Sequence, residues 1–359
     1  MKSLLIPVFL LCMILSLSCI TVNTVSPQPS TRAEPARPTQ ETAGSLELES
    51  PLPDERFVQG EQIILSARGT KDIKWVSNLD GTLGTGAKIQ VKGLSAGIHQ
   101  VTATGNNSKA TVQVRVFKDL TELYQSKIAQ GEINRIRSDF NFNWMNGAGD
   151  SEKWAADLSY EFNQKSPEPS RVAALAKIDV LRHQQFSQPL PFTGGAAAYD
   201  NLKSHVRQIN LRLDCDISYA GNHALNLNRN FSVWDSRMSG SAQKPDACKV
   251  PLQQPIVVAD YIDALYLLLH EGRHCEPSDP GHTTCKGVSN MDQKLEDGSG
   301  HATAALYLLW VYKYGLYDSA LIKANARQAA MSILENRFCN TPKHSNPLVQ
   351  SILNELGIK

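Results

Sequence analysis

The run Ile262-Asp263-Ala264-Leu265-Tyr266-Leu267-Leu268-Leu269 stops at His270-Glu271-Gly272-Arg273-His274. Pro255 precedes it and favours a helix start, so the spacing predicts a helix over 256–274. A helix this apolar is buried along most of its length. Two imidazoles and a carboxylate at its end cannot be buried without partners. His270 and His274 are four apart, so both rings leave one helix face and can share a metal ion. Glu271 lies one residue round, where it reaches a water beside that ion without being a ligand. Zinc suits such a site, catalytic zinc having three protein ligands and one open position. The bare pattern arises by chance in roughly one chain per hundred of this length, and the apolar helix before it is what gives it weight.

The third ligand has to be found elsewhere. Pro277 and Pro280 stand where the long metzincin pattern needs Gly and His. A second helix is predicted from Met291 to Gly315, with Ser289-Asn290 as its cap and Gly298 and Gly300 as bend points. Glu296 lies on it, twenty-two residues past His274. Residues 262 to 301 thereby resemble the gluzincin class of zinc metallopeptidases. That resemblance implies Glu296 as the third ligand, Glu271 as general base and a peptide or protein substrate. His282, His301 and Asp292 compete with Glu296 for the third place. Asp292 also suits a hydrogen bond to a ligand imidazole. His301, Tyr307 and Tyr314 are candidates for an oxyanion donor.

The N-terminus reads as an address. Lys2 and the apolar stretch Leu4 to Leu17 form a signal sequence, and Ser16-Leu17-Ser18-Cys19 resembles a bacterial lipobox, with Ser16 in place of the usual Leu. Residues 1–19 are therefore expected to be a signal with Cys19 lipidated, placing the protein outside the cytoplasm on a membrane surface; plain secretion is the alternative. Residues 20–45, rich in Ser, Thr, Pro and Glu, read as a disordered linker. Seven cysteines in an exported chain imply disulfides. Cys275 with Cys285, across a short Pro/Gly loop, and Cys215 with Cys248 are the expected pairs, leaving Cys339 odd.

Residues 46–117 change character. Short alternating runs such as Ile63–Ala67, Ile73–Ser77, Lys88–Val91 and Thr111–Val116 are separated by Gly and Asn turns, which predicts a small antiparallel sandwich with Trp75 in its core. The segment from Trp75 to Gly86, with Leu94 to Ala103, resembles a bacterial Ig-like domain of the PKD-related kind. Such a module spaces or positions its neighbour. From Leu120 the periodicity turns helical. Helices are expected over 120–140, 154–162, 171–183, 198–209 and 319–338, with a short one over 347–356. Strands are expected over 210–219 and 224–234. The fold class is thus multidomain, an all-β Ig-like sandwich followed by an α-rich α+β zincin-like domain over 118–359. A net charge of +1 excludes nothing but a strongly basic nucleic-acid binder. A competing reading is a surface binding protein, whose Ig-like module engages a wall or protein partner beside a structural or inactive metal site.

Overall fold

The computed structural model describes residues 45–70, 72–145, 171–212, 218–227, 231, 258–285 and 287–358. The expected signal, Cys19, nearly all of the linker, Cys215, Cys248 and the helix over 154–162 lie outside the described residues. Strict alternation builds the first half. Its strands are β1 (Glu47–Ser50), β2 (Glu55–Val58), β3 (Gln62–Arg68), β4 (Lys74–Ser77), β5 (Gly81–Thr85), β6 (Lys88–Lys92), β7 (Gly97–Gly105) and β8 (Ser108–Phe117). They form two sheets, ordered β1-β3-β6 and β2-β8-β7-β4-β5. In β3 every second side chain, Ile63, Leu65 and Ala67, turns inward onto Trp75, Val101 and Val114. Trp75 is fully buried, and its indole Nε1 donates to Gly86 O at 2.9 Å. The pairing departs from an all-antiparallel sandwich at one place. The chain changes sheets at Pro51–Asp54, so β2 arrives beside β8 in a parallel sense.

The second half is helical around a small sheet. The helix expected over 120–140 is two: α1 (Leu120–Gln125), capped by Asp119, and α2 (Gln130–Asp139), with the break at Ser126–Ala129. Next come β9 (Asn141–Met145), α3 (Arg171–His183), α4 (Ala198–His205), β10 (Gln208–Arg212), β11 (Tyr219–Gly221) and β12 (Ala224–Leu227). The sheet order is β11-β12-β10-β9, with β10 parallel to both its neighbours and β11 antiparallel to β12. The helix expected over 198–209 therefore ends at His205, because Gln208 onward pairs with β9 and β12. α5 (Val258–Arg273), the hairpin β13 (Thr283–Cys285) and β14 (Val288–Met291), α6 (Gly300–Tyr314), α7 (Ala320–Asn336) and α8 (Pro347–Glu355) complete the chain. α6 is buried from Gly300 through Val311, which makes it the central helix. Among the described residues no helix is long and apolar enough to cross a membrane.

Two expectations are corrected here. The single helix over 291–315 is instead a strand end, one 3-10 turn (Leu295–Asp297) and then α6. The chain turns through left-handed Gly298 and restarts at Ser299. The Asp292 carboxylate reaches forward to accept from Ala302 N at 2.8 Å, so it caps α6 and does not lie within it. The expected Cys275–Cys285 pair is absent. Cys285 is bonded to Cys339, 54 residues on, with Cα atoms 5.8 Å apart. Cys275 is a free, buried thiol turned toward Ala224 O.

Sandwich and helical half are joined by buried charge. Arg56 of β2 has no exposure. Its Nε donates to Glu132 of α2 at 2.7 Å, its Nη1 to Leu123 O at 3.0 Å, and its Nη2 to Asp179 of α3. Arg182 donates to the same Asp179 at 3.0 Å, and His183 pairs with Glu61 at 3.0 Å. Val58 of β2 belongs to the helical core.

Candidate metal centre

The motif lies where α5 ends. His270 and Glu271 are buried, at 7% and 5% exposure, and His274 is half-buried. Gly272, costly in a helix by about 1 kcal/mol relative to Ala, has a steric reason. A Cβ there would lie 2.5 Å from Leu202 Cδ1 of α4.

The loop after α5 folds back and delivers a third imidazole. His282 Nε2 lies 3.0 Å from His274 Nε2 and 3.2 Å from His270 Nε2. Arg273 makes that return possible. It donates to Glu276 and Gly298 O, to Ser278 Oγ at 3.1 Å and to Ser278 O at 2.9 Å, strapping both ends of the loop to the helix. Each of two rings is then oriented by a carboxylate. His274 Nδ1 faces Asp279 at 2.7 Å, and His282 Nδ1 faces Asp292 at 2.7 Å.

These partners decide the protons. A carboxylate only accepts, so the Nδ1 of His274 and of His282 each carries its hydrogen. With Nδ1 so engaged, the Nε2 atoms of His274 and His282 face each other across 3.0 Å. A proton on one of them or a metal ion between them satisfies that contact. A tetrahedral zinc with Zn–N bonds of ~2.0–2.1 Å sets its nitrogens roughly 3.3–3.4 Å apart, close to the spacing here. Burial works against charge on His274, but its hydrogen bond to Asp279 and the carboxylates of Glu271 and Asp292 raise its pKa. His270 behaves oppositely, held well below the usual range by burial and by its imidazole neighbours. Its Nδ1 is buried with no hydrogen-bond partner among the described residues. Asp292 stays below the usual carboxylate range; burial opposes this, and the His282 bond and Ala302 N–H favour it. The donor set therefore fits zinc.

Backbone also closes on the cluster. At Gly300 a Cβ would lie 2.9 Å from His274 Nε2 and 3.0 Å from His270 Cε1, so only glycine lets α6 begin this close. The Glu271 carboxylate lies with nitrogens of His270 and His274 inside a 4.8 Å cluster, and burial pushes it up to about 7.

The other expected residues fall out as follows. Glu296 is exposed on the 3-10 turn, where it accepts from Ser345 N at 3.2 Å and takes no part in the imidazole cluster. The reason is the broken helix: the chain spends residues 283–291 on a hairpin, which turns Glu296 away from the imidazoles, while His282 lies beside His270 and His274. Asp292 is where a ligand-orienting carboxylate was expected. His301 packs against the cluster, its ring centre 4.3 Å from that of His270 and 4.7 Å from that of His282. Its Nε2 faces Asn290 O at 3.0 Å, which can only accept, so Nδ1 is a lone pair 3.0 Å from Tyr266 Oη. Placed so, His301 has no proton to give an oxyanion. Burial, helped by His282 and opposed by Asp292, draws it down to about 4. Tyr307 is fully buried and its hydroxyl has no partner among the described residues. Asp279 was not foreseen. An acid five residues past His274, just before Gly281-His282, was the available signal.

A second cluster, Glu132, Asp179 and His183, is also spaced for a metal. Arg56 and Arg182 already supply its positive charge, so it is an ion-pair network.

No protein-family model matches the chain, and no curated protein matches it. Solved structures similar to part of it are β-sandwich modules. The fibronectin(III)-like modules of Clostridium thermocellum CbhA are 17% identical, covering 20% of this chain and 94% of theirs, at a TM-score of 0.18. Titin M4 is 13% identical, covering 21% of this chain and 97% of its own, at 0.17. A chimeric titin Z1Z2 is 16% identical, covering 21% and 95%, at 0.17.

Proposed function

We propose that this chain is an exported, lipid-anchored zinc metallopeptidase, with His270, His274 and His282 holding the ion and Glu271 as general base. The observation that carries the reading is the convergence of three Nε2 atoms beside a buried carboxylate. Zinc, when bound, supplies Lewis acidity that brings a water's pKa toward ~7 and polarises a carbonyl. The chain does the rest. Glu271, poised near 7 by burial, accepts a proton from water and carries it to the leaving nitrogen. Asp279 and Asp292 hold two rings in the tautomer that leaves Nε2 free. Tyr266 and Asn290 hold His301 as a wall beside the cluster. The substrate is an extended peptide laid along β11, an edge strand of the sheet that also touches Cys275, next to His274. The internal strands β10 and β12 have both edges paired. Cys19 is the anchoring residue, and the sandwich positions the helical half or engages a wall or protein partner.

One observation favours a second reading, a structural metal site in a binding protein. His270, His282 and His301 offer nitrogens within 4.8 Å of one another, so a turned His301 ring closes the fourth position. Zinc content and cleavage of a mixed peptide library separate the two. Wild type is expected to hold one zinc and cleave. Glu271→Gln keeps zinc and loses about 10²–10⁴-fold in rate, His282→Ala loses zinc, and His301→Ala keeps it. Zinc retained at full affinity by His282→Ala rejects the ligand set. A zinc-loaded wild type that cleaves nothing, with His301→Ala losing zinc, establishes the second reading.

A further inference from the structure

We propose that the Cys285–Cys339 disulfide positions the third imidazole, so that the chain reaches its full zinc affinity only after this bond has formed. The inference rests on the three-imidazole reading above. His270 and His274 are set by the hydrogen bonds of α5, but His282 is not on a helix. It stands just before β13, and Asp292 stands just after β14, so their 2.7 Å contact spans the base of the hairpin. That hairpin has strands of three and four residues, with an irregular register between Thr283 and Cys285. Its residues from Gly287 to Asn290 are exposed, and among the described residues of the hairpin Met291 alone is buried. A ribbon of this size does not hold its shape unaided.

Asn290 O of β14 accepts from His301 Nε2 on α6 at 3.0 Å, and two further attachments land just past the end of α7. Asp292 N donates to Arg337 O at 2.9 Å, and Cys339 N donates to Asp292 O at 2.9 Å. Cys285, three residues past His282, is bonded to Cys339 itself. The bond thus fixes the β13 side of the hairpin, the side that carries His282, while Asp292 fixes the β14 side. With free thiols the β13 side loses its covalent tie, and His282 is held through contacts made by the β14 side, at Asn290 and Asp292. In forming the bond, the two thiols give up two protons and two electrons to a disulfide-bearing oxidant of the exchange type, which leaves as a dithiol. Such oxidants belong to the compartments outside the cytoplasm. Assembly of the metal centre is thereby coupled to export.

The test measures the zinc dissociation constant by chelator competition on oxidised wild type and Cys285→Ser/Cys339→Ser. Leu65→Ala, a change in the sandwich core, is the control for general destabilisation. The double variant is expected to bind zinc about 10–100-fold more weakly, with Leu65→Ala within twofold of wild type. Equal affinity in wild type and double variant overturns the proposal, as does an equal weakening in Leu65→Ala. A wild type that binds no zinc overturns the ligand reading and this inference together. Should the double variant not fold, hydrogen exchange on wild type before and after reduction and alkylation decides. Faster exchange confined to residues 283–291 and 339 supports the proposal, and unchanged exchange there overturns it.

Discussion

Arg56→Ala removes a fully buried guanidinium that reaches from the sandwich into the helical core. The loss is larger than one ion pair. Glu132 loses the Nε contact at 2.7 Å, and Asp179 loses its Nη2 partner. The carbonyls of Leu123 and Ser126 lose donors at 3.0 and 3.2 Å. Arg182 remains, 3.0 Å from Asp179 and 3.4 Å from Glu132, and cannot replace both contacts. Breaking a buried pair by removing one partner costs ~3–5 kcal/mol, because the other charge stays buried. A typical domain has ~5–15 kcal/mol in all. Arg56→Ala is therefore expected to lower the urea midpoint of sandwich and helical half together. Exchange-detected urea titration reports the two halves separately, with β3 and β7 peptides for one and α3 and α6 peptides for the other. The joint variant Arg56→Met/Glu132→Gln should recover part of the loss, since it removes charge from both sides. The reasoning is refuted if α3 and α6 keep their wild-type midpoint, or if the loss is below about 1 kcal/mol, the ceiling for an exposed pair.

Further outcomes are expected. His183 is fully buried, and although burial opposes it, the Glu61 and Asp179 carboxylates outweigh that and Arg182 to raise its pKa from 6.5 to about 9. Its stabilisation is complete below pH ~6.5 and lost as pH rises through ~9, on the order of 3 kcal/mol at ~1.4 per unit; His183→Gln should flatten the urea-midpoint slope across that window, and an unaltered slope rejects the assignment. Gly300→Ala puts a Cβ 2.9 Å from His274 Nε2, so chelator competition should show zinc affinity reduced by at least about tenfold; wild-type affinity would contradict the close approach. Burial pushes the Cys275 thiol up to about 11, so it should resist alkylation at pH 8 until the chain unfolds, while non-reducing peptide mapping recovers Cys285 linked to Cys339; a linked Cys275 would overturn both.

What could be read in advance followed the range of the forces concerned. The alternation around Trp75 and the apolar run before His270 are local, and strands and helix came out where period and punctuation put them. Glu296 failed for a physical reason. Met291, Leu295, Ala302 and Leu306 keep a helical spacing right through 291–306, but hairpin pairing from Thr283 to Met291 takes the first part of that segment. Local periodicity carries no record of such competition. Cys339 was left unpaired because proximity in sequence favoured Cys275, yet the real partner is 54 residues away and is set by how α7 packs. His282 stood among the alternatives, and only the folded loop, with Arg273 strapping it and Asp279 holding His274, brings it beside the other two imidazoles.

Asp292 uses both carboxylate oxygens and both backbone groups at once: Oδ1 on His282, Oδ2 on Ala302 N, and its own amide and carbonyl on Arg337 and Cys339. A cation held by His282, as proposed, would draw that ring's Nδ1–H more firmly onto the shared carboxylate. The same carboxylate anchors the first turn of α6, the helix around which the core is packed. If zinc binds as proposed, loading of the site would be felt as order in the first turn of α6, and the rigidity of that helix would report on occupancy.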